Sequence, residues 1–215
     1  MNLQGDSKKK RIGLMADSHG NLKATKKAIR TLQEHGAERL IHLGDFFDSL
    51  RNDSLSSIVT LLKDNNVAVV KGNNDHQIEK LLKDNSCEEG AEREKILSFI
   101  KDLPMIMVMK DLCFAHSLPF DALRSFYEPI DTGSAKRARG IFKNTPYRIV
   151  FSGHSHIPVF FRWKEGHATR ETIMPGQTLS IKKGERYIMI VGAVYGGECA
   201  LYDRDSMEYK RIKIK

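Results

Sequence analysis

The sequence predicts a single layered α/β domain with a mixed or double sheet. Over the first half of its 215 residues, short apolar runs alternate with segments of helical periodicity. That order favours parallel strands joined by helical crossovers. The second half contains mostly strand-like segments, and no interdomain linker, internal repeat or low-complexity tract divides the chain. One layered α/β domain is the simplest interpretation of these three observations.

The first half is predicted to alternate strands and helices from its start. Strands are predicted over 11–16, 38–44 and 67–72, and helices over 21–36, 53–66 and roughly 77–102. The strands are short apolar runs, whereas the first helix is amphipathic and ends at a glycine, Gly36. The last helical stretch ends before Pro104, because the residue before a proline is biased away from helical geometry.

The second half is predicted to be rich in strands. The segment 105–117 is interpreted as two short strands joined by a turn at Lys110 and Asp111. One basic helix is predicted over 133–144, and further strands over 147–153, 157–163, 168–173, 186–194, 198–203 and 207–214. Residues 1–10 are expected to form a flexible basic tail. Residues 11–215 are expected to form the single domain.

Composition limits the class of protein. Hydrophobic residues make up 40% of the chain and charged residues 29%, a balance typical of a globular protein with a core. No segment approaches the ~18 apolar residues that cross a bilayer, and no apolar stretch follows the basic start as in a secretory signal. The three scattered cysteines predict a reducing cytoplasm rather than disulfides or a thiolate zinc site. No membrane partner is expected.

The formal net charge is +8 and the pI is near 9.3. Such a charge attracts anions, from nucleotides to nucleic acid. Much of it lies in the basic segments 8–11 and 209–215, and aromatic residues do not interleave with the basic ones as in single-strand binders. A solvated basic surface is therefore the favoured interpretation, and nucleic acid stays an open alternative.

Polar residues follow the apolar runs at the points where ligand sites form in α/β sheets, beyond the carboxyl ends of the strands. These residues are Asp17, His19, Asp45, Asn73, His116, His154 and His156. Carboxylates, imidazoles and one amide suit two divalent ions, with manganese, iron or zinc favoured over calcium or magnesium alone. The i, i+2 spacing of Asp17 with His19, and of His154 with His156, predicts side chains that point one way from an extended segment.

The order D-x-H, G-D, G-N, H and G-H-x-H resembles the calcineurin-like metallophosphoesterase superfamily. Within it, the segments FSGHSHIPVFF, RYIMIVGAV and ECALYDRDSMEYKRI are similar to a small bacterial and archaeal phosphodiesterase-like branch. The resemblance extends from Arg11 to about Ile214. It implies a four-layer α/β/β/α sandwich with mixed sheets, and a cytoplasmic hydrolase that acts on small phosphorylated substrates, nucleotides among them.

The resemblance also implies a role for each candidate ligand. Asp17, His19 and His156 would hold the first metal ion, and Asn73, His116 and His154 the second. Asp45 would bridge the two, and a bridging hydroxide would attack phosphorus in a phosphodiester or phosphoanhydride bond. Manganese is the favoured ion, with iron, zinc, nickel and magnesium as alternatives. Asp45, His156 and Asn74 are the predicted catalytic residues.

Asn74 departs from the family pattern, which usually has a histidine at this position. The histidine is thought to bind the phosphate or to protonate the leaving group. Asn74 can donate a hydrogen bond but cannot release a proton, so the sequence predicts a preference for phosphoanhydrides or activated diesters. Two further departures are AHS at 115–117 in place of the usual His-Gly, and VGAVYGG at 191–197 in place of the usual substrate-binding loop.

Two other functions stay open at this point. A catalytically weak binding or scaffold protein on the same fold would explain Asn74 and the altered loop, and a metal-dependent nuclease would explain the charge.

Three neighbouring polar residues also have alternative interpretations. Asp75 either orients a group beside the metals or caps a helix that starts near Gln77, and His42 is favoured as a core histidine. His76 could substitute for the missing histidine only if the loop were changed.

Overall fold

The computed structural model describes residues 9–48, 55–84 and 90–214 and has an α/β architecture. The first half contains β1 (Arg11–Met15), α1 (Leu22–Glu34), β2 (Arg39–His42), α2 (Leu55–Asp64), β3 (Ala68–Val69), α3 (Asn73–Asp84) and α4 (Ala91–Ile100). The second half contains β4 (Ile106–Met109), β5 (Leu112–Ala115), α5 (Lys136–Asn144), β6 (Ile149–Ser152), β7 (Val159–Lys164), β8 (His167–Thr172), β9 (Thr178–Ser180), β10 (Arg186–Ile190), β11 (Glu198–Asp203) and β12 (Glu208–Lys213). Short 3₁₀ helices lie at Leu123–Phe126 and Val194–Gly196.

The strands form two six-stranded sheets, with the orders β3-β2-β1-β11-β12-β9 and β4-β5-β6-β10-β7-β8. In the first sheet β1, β2 and β3 are parallel, as the alternation of strands and helices predicts. In the second sheet β5, β6 and β10 are parallel, and β4, β7 and β8 are antiparallel to their neighbours. Both sheets are therefore mixed.

The main core lies between the two sheets. Buried side chains of the first sheet, such as Ile12 and Ile41, belong to the same cluster as Phe114, Phe151 and Tyr187 of the second. Two separate clusters pack the helices against the outer face of the first sheet, one with α1 and the other with α2, α3 and α4. Another cluster joins α5 with the outer face of the second sheet. Because each sheet has one face in the core and one under helices, the predicted four-layer α/β/β/α sandwich is confirmed.

The prediction of a single helix over 77–102 is wrong in its extent. The structure has two helices there, α3 and α4, and Gly90, with a φ of 156°, directly precedes α4. The first of the two begins at Asn73 rather than near Gln77. The backbone N–H of Asn74 donates to Asp45 Oδ1 at 2.8 Å, so a distant carboxylate caps the first turn. The strand β9 and the two 3₁₀ helices are also absent from the sequence prediction.

Most of the predicted flexible tail, residues 1–8, lies outside the described residues. Lys10 is held in place: its backbone N–H donates to Glu38 at 2.8 Å, and its amine forms an ion pair with Asp205 at 2.5 Å. In the described ranges, no helix has the length and apolar character needed to cross a membrane.

Candidate metal centre

Strand ends from both sheets meet at one edge of the sandwich. In the first sheet, β1, β2 and β3 end shortly before Asp17, Asp45 and Asn73; in the second, β5 and β6 end before His116 and His154. All seven predicted ligands lie close together there, in two groups that share buried carboxylates. His19 and His156, for example, are 137 positions apart in the sequence, and only the paired sheets bring them into contact.

The first group consists of Asp17, His19 and His156. Their candidate ligand atoms all lie within 4.8 Å of one another. The Nε2 atoms of His19 and His156 are 3.2 Å apart, and His156 Nε2 is 3.4 Å from Asp17 Oδ1. Asp17 is fully buried. One carboxylate oxygen and two imidazole nitrogens thus converge on one point.

The second group consists of Asn73, His116 and His154. Asn73 Oδ1 is 3.0 Å from both His116 Nε2 and His154 Nδ1, and these two nitrogens are 3.1 Å apart. Asp45 Oδ1 lies 3.5 Å from His116 Nε2. Since ligand atoms of Asp17, Asp45 and His116 also lie within 4.8 Å of one another, the carboxylates connect this group with the first.

The donor atoms of the second group fit a cation. His116 Nδ1 lies 2.9 Å from the Leu43 carbonyl oxygen, which can only accept, so Nδ1 carries the proton. In the neutral ring, Nε2 then presents a lone pair to Asn73 Oδ1, itself an acceptor. Two acceptors at this distance repel unless a proton or a metal ion lies between them. Nitrogen and neutral oxygen donors of this kind suit first-row divalent metals.

Burial and the nearby carboxylates shift the pKa values of three imidazoles in different directions. Burial by itself would lower the pKa of His116, but the nearby charges of Asp45 and Asp17 raise it above its usual value. The hydrogen bond with Asp17 raises the pKa of His156. Burial, with help from His116, lowers the pKa of His154 to about 4, which leaves that ring neutral at pH 7 and free to bind a metal.

The backbone at the centre is strained. Five of the seven candidate ligands have a positive φ between 44° and 67°, namely Asp17, His19, Asp45, His154 and His156. Non-glycine residues rarely adopt this geometry, and such strain concentrates at functional sites. The prediction that the Asp17–His19 and His154–His156 pairs lie on extended segments is therefore wrong. Tight turns, rather than strand alternation, direct these side chains together.

Two glycines allow the backbone to approach the carboxylates. A Cβ at Gly153 would lie 2.7 Å from Asp17 Oδ2, and a Cβ at Gly72 would collide with Asp45 Oδ1 and its backbone nitrogen. The backbone N–H of His154 donates to the same Asp17 carboxylate at 3.0 Å. Side chains at these two positions would displace the carboxylates, which accounts for glycine at both.

Asp75 holds the loop that carries Asp45. Its Oδ2 accepts the backbone N–H of Asp45 and that of Gly72, each at 2.8 Å, and its Oδ1 accepts the N–H of Phe47 at 3.0 Å. Asp75 is fully buried, and burial together with the Asp45 charge raises its pKa. Because α3 begins at Asn73, Asp75 does not cap a helix that starts near Gln77; it accepts the Gly72 N–H at the start of α3 and also holds the backbone of Asp45.

Asn74 contacts Asp45 with both its backbone and its side chain. The backbone N–H donates to Asp45 Oδ1 at 2.8 Å, and Nδ2 donates to Oδ2 at 2.6 Å. Both oxygens of the candidate bridging carboxylate are thus oriented by one residue at the N-terminus of α3. The catalytic role given to Asn74 stays a prediction, and its contacts connect it with Asp45.

His42 lies beneath the first group. Its Nε2 is 2.8 Å from the hydroxyl of Ser18, the residue between Asp17 and His19, and its ring is fully buried. Burial lowers the pKa of His42 to about 3, so the ring is neutral. The interpretation of His42 as a core histidine is confirmed, and it supports the turn that carries two of the ligands.

Tyr195 is a site residue that the sequence did not identify, although its loop departs from the family pattern. Its hydroxyl lies 3.0 Å from His156 Nδ1, and its ring makes an edge contact with His19 at 5.3 Å. The side chain is 50% exposed at the rim of the centre. Because Tyr195 contacts Nδ1 of His156, it fixes the ring with Nε2 directed towards Asp17.

We expect Tyr195→Phe to lower the affinity for the first metal ion by about 10- to 100-fold, because partners that orient a metal-binding histidine have effects of this size. Titration calorimetry with manganese measures the change. Tyr147→Phe is the matched control, since Tyr147 precedes β6 at the end opposite His154. Equal affinities in Tyr195→Phe and the control would contradict a role for Tyr195 in orienting His156.

Comparison with known proteins defines the class. Residues 11–194 match the model of the calcineurin-like phosphoesterase superfamily domain, which covers most of the chain. The chain therefore belongs to the calcineurin-like phosphoesterase superfamily, and it is a phosphoesterase of this hydrolytic class.

Individual relatives agree with this assignment. The chain is 26% identical to phosphodiesterase MJ0936 of Methanocaldococcus jannaschii over 151 residues, which are 70% of this chain and 75% of that protein. Its fold is similar to that of a metallophosphoesterase from Sphaerobacter thermophilus, with a TM-score of 0.77 and 22% identity over 96% of this chain and 88% of the other. Protein PH1004 from Pyrococcus horikoshii has a TM-score of 0.61 and 18% identity over 95% and 88% of the two chains.

Proposed function

We propose that this chain is a dinuclear metal-dependent phosphoesterase that hydrolyses phosphodiester or phosphoanhydride bonds. The observation that supports this most is the convergence of two ligand groups on shared, buried carboxylates. A single ion would leave one of the two groups without a cation between its closely spaced donors. The identity of MJ0936 as a phosphodiesterase supports a diester substrate.

The residues fit two divalent ions. Asp17, His19 and His156 would hold one, Asn73, His116 and His154 the other, and Asp45 both. When bound, such ions supply charge that neutralises the phosphoryl group and lower the pKa of a water molecule that attacks phosphorus. Manganese is the proposed ion, with iron, zinc, nickel and magnesium as alternatives.

The chain's own residues determine the charge of the centre. Only Asp17 and Asp45 among the seven ligands are negative, because Asn73 binds through a neutral oxygen. The loaded centre therefore keeps a net positive charge, which attracts a phosphoryl group. Asn74, which donates to Asp45, has no proton to release. We infer a preference for substrates with good leaving groups, such as aryl diesters and dinucleotide polyphosphates.

The test is turnover by manganese-loaded protein. We expect hydrolysis of bis-p-nitrophenyl phosphate and of a dinucleotide polyphosphate, and slower hydrolysis of an alkyl monoester such as glycerol phosphate. Faster hydrolysis of the alkyl monoester would contradict the substrate preference. No turnover by protein that holds two ions would favour a scaffold protein on this fold.

A nuclease is the second candidate, because the net charge of +8 favours polyanionic substrates. The basic helix α5 has the sequence KRARGIFKN and adds to this charge. Salt dependence separates the two functions: affinity for an oligonucleotide should fall steeply with salt if many phosphates are contacted.

We propose the cytoplasm as the location, since the described cysteines, Cys113 and Cys199, are free thiols; Cys87 lies outside the described residues.

A further inference from the structure

A tyrosine and a histidine form a hydrogen-bonded pair beside the second ligand group. His76 Nδ1 is 2.9 Å from the hydroxyl of Tyr127. The His76 ring also packs against Phe126, with ring centres 5.4 Å apart and a tilt of 33°. Tyr127 is 47% exposed. The pair is thus fixed in place on one side and accessible to a ligand on the other.

Each residue of this pair is connected along the chain to a ligand of the second group. His76 follows Asn73 by three residues on α3, so the two side chains lie on the same face of the helix. Tyr127 follows the 3₁₀ helix, which is tied to the segment after His116 through the Leu118 N–H and the Ser125 carbonyl at 3.1 Å. Both residues of the pair are thus connected through short stretches of chain to ligands of the second group, His76 to Asn73 and Tyr127 to His116.

Tyr127 also lies within the electrostatic influence of Asp45. Burial first, and the negative charge of Asp45 second, raise the pKa of the Tyr127 hydroxyl. Asn74 donates to the same carboxylate. Tyr127 and Asn74 therefore both interact with the charge of Asp45, and of the two only Tyr127 has an acidic proton.

We propose that Tyr127 protonates the leaving group in the hydrolysis of esters with poor leaving groups, and that His76 positions its hydroxyl. This inference rests on the proposed phosphoesterase function. As the water oxygen bonds to phosphorus and releases a proton to solvent, the bond from phosphorus to the leaving oxygen breaks. The Tyr127 proton moves to that oxygen, and the resulting phenolate, hydrogen-bonded to His76, is reprotonated by solvent.

Tyr195 is less suited to this role, although it is also half exposed at the rim. Its hydroxyl is committed to His156, and its ring contacts His19, so it belongs to the first ligand group. Tyr127 has no hydrogen bond to a candidate ligand among the contacts that the structure describes. Of the two tyrosines, Tyr127 is the one whose proton can be transferred without disturbing a ligand.

We expect Tyr127→Phe to lower the hydrolysis rate selectively for substrates with poor leaving groups. Two substrates that share a nucleotide provide the comparison: the p-nitrophenyl ester of thymidine monophosphate and dithymidine monophosphate. The first releases an aryl oxide that needs no proton, and the second an alkoxide that does. We expect Tyr127→Phe to lower kcat for the dinucleotide about 100-fold more than for the aryl ester, within the range of general-acid effects.

Three further measurements separate proton donation from a structural role. A solvent deuterium isotope effect on the dinucleotide should be present in the wild type and lost in Tyr127→Phe. Manganese content should be the same in both, since Tyr127 is not a ligand. His76→Gln should shift the dinucleotide-to-aryl ratio in the same direction by a smaller factor, whereas Tyr147→Phe should leave both rates unchanged.

The outcomes are distinct. An equal loss on both substrates in Tyr127→Phe, or an unchanged ratio, would overturn the role of Tyr127 while leaving the phosphoesterase function intact. Loss of manganese from Tyr127→Phe would also overturn it, because the residue would then act through the metal centre. Failure of the loaded wild type to hydrolyse either substrate would overturn the proposed function, and this inference with it.

Discussion

Replacing Asp45 with alanine is expected to lower kcat for an aryl phosphodiester by at least about 10³-fold. Asp45 is the buried carboxylate closest to the second ligand group, and both of its oxygens are held by Asn74. Its loss removes the proposed link between two ions, and several kcal/mol of transition-state stabilisation would go with it. Steady-state kinetics with manganese-loaded protein measure the effect.

The matched variants for Asp45 are one conservative change and one distant one. Asp45→Asn keeps the shape and one oxygen but removes the charge, so we expect a loss nearly as large. Asp64→Ala changes an exposed aspartate at the end of α2 and should have no effect on kcat. Retention of more than about one tenth of the wild-type kcat by Asp45→Ala would rule out a bridging role, given the several kcal/mol expected from metal catalysis.

Replacing Asp75 with alanine is expected to destabilise the protein by at least about 3 kcal/mol. Three buried backbone N–H groups, those of Asp45, Phe47 and Gly72, would lose their acceptor. Each unsatisfied buried donor costs about 1 to 3 kcal/mol. Urea unfolding in the presence of a chelator measures this free energy of unfolding without any contribution from metal binding.

Asp75→Asn is the matched variant for Asp75→Ala. Its single amide oxygen can still accept from backbone N–H groups, whereas its NH₂ group cannot, so we expect a smaller loss of stability. Because Asp75 holds the Asp45 backbone, both variants should also bind manganese more weakly. Wild-type stability in Asp75→Ala would show that water replaces the carboxylate and that Asp75 does not hold the loop.

The sequence predicted much of the fold and the candidate centre. Strand ends could be located because short apolar runs stop abruptly at polar residues, as β1 does before Asp17 and β5 before His116. The parallel order of the first sheet then placed these ends at one edge. All seven candidate ligands follow such runs, the family resemblance supplied the role of each, and the seven residues converge in the structure.

The remaining parts depend on tertiary contacts without a local sequence signal. α3 begins at Asn73 because its first turn is capped by Asp45, which is 29 residues away from Asn74. Tyr195 reaches His156 across 39 residues, and Tyr127 reaches His76 across 51. The positive φ angles at Asp17 and His154 are likewise imposed by the packing of loops from two sheets. Sequence periodicity carries no information on these contacts.

Electron paramagnetic resonance of the manganese-loaded wild type tests the shared metal centre most directly. Two Mn²⁺ ions that share Asp45 should be close enough for exchange coupling, and two ions per chain should give the multiline spectrum of a coupled pair. Asp45→Ala should convert that spectrum to one of isolated ions or remove it. An isolated-ion spectrum from the wild type, saturating at one ion per chain, would contradict a dinuclear centre.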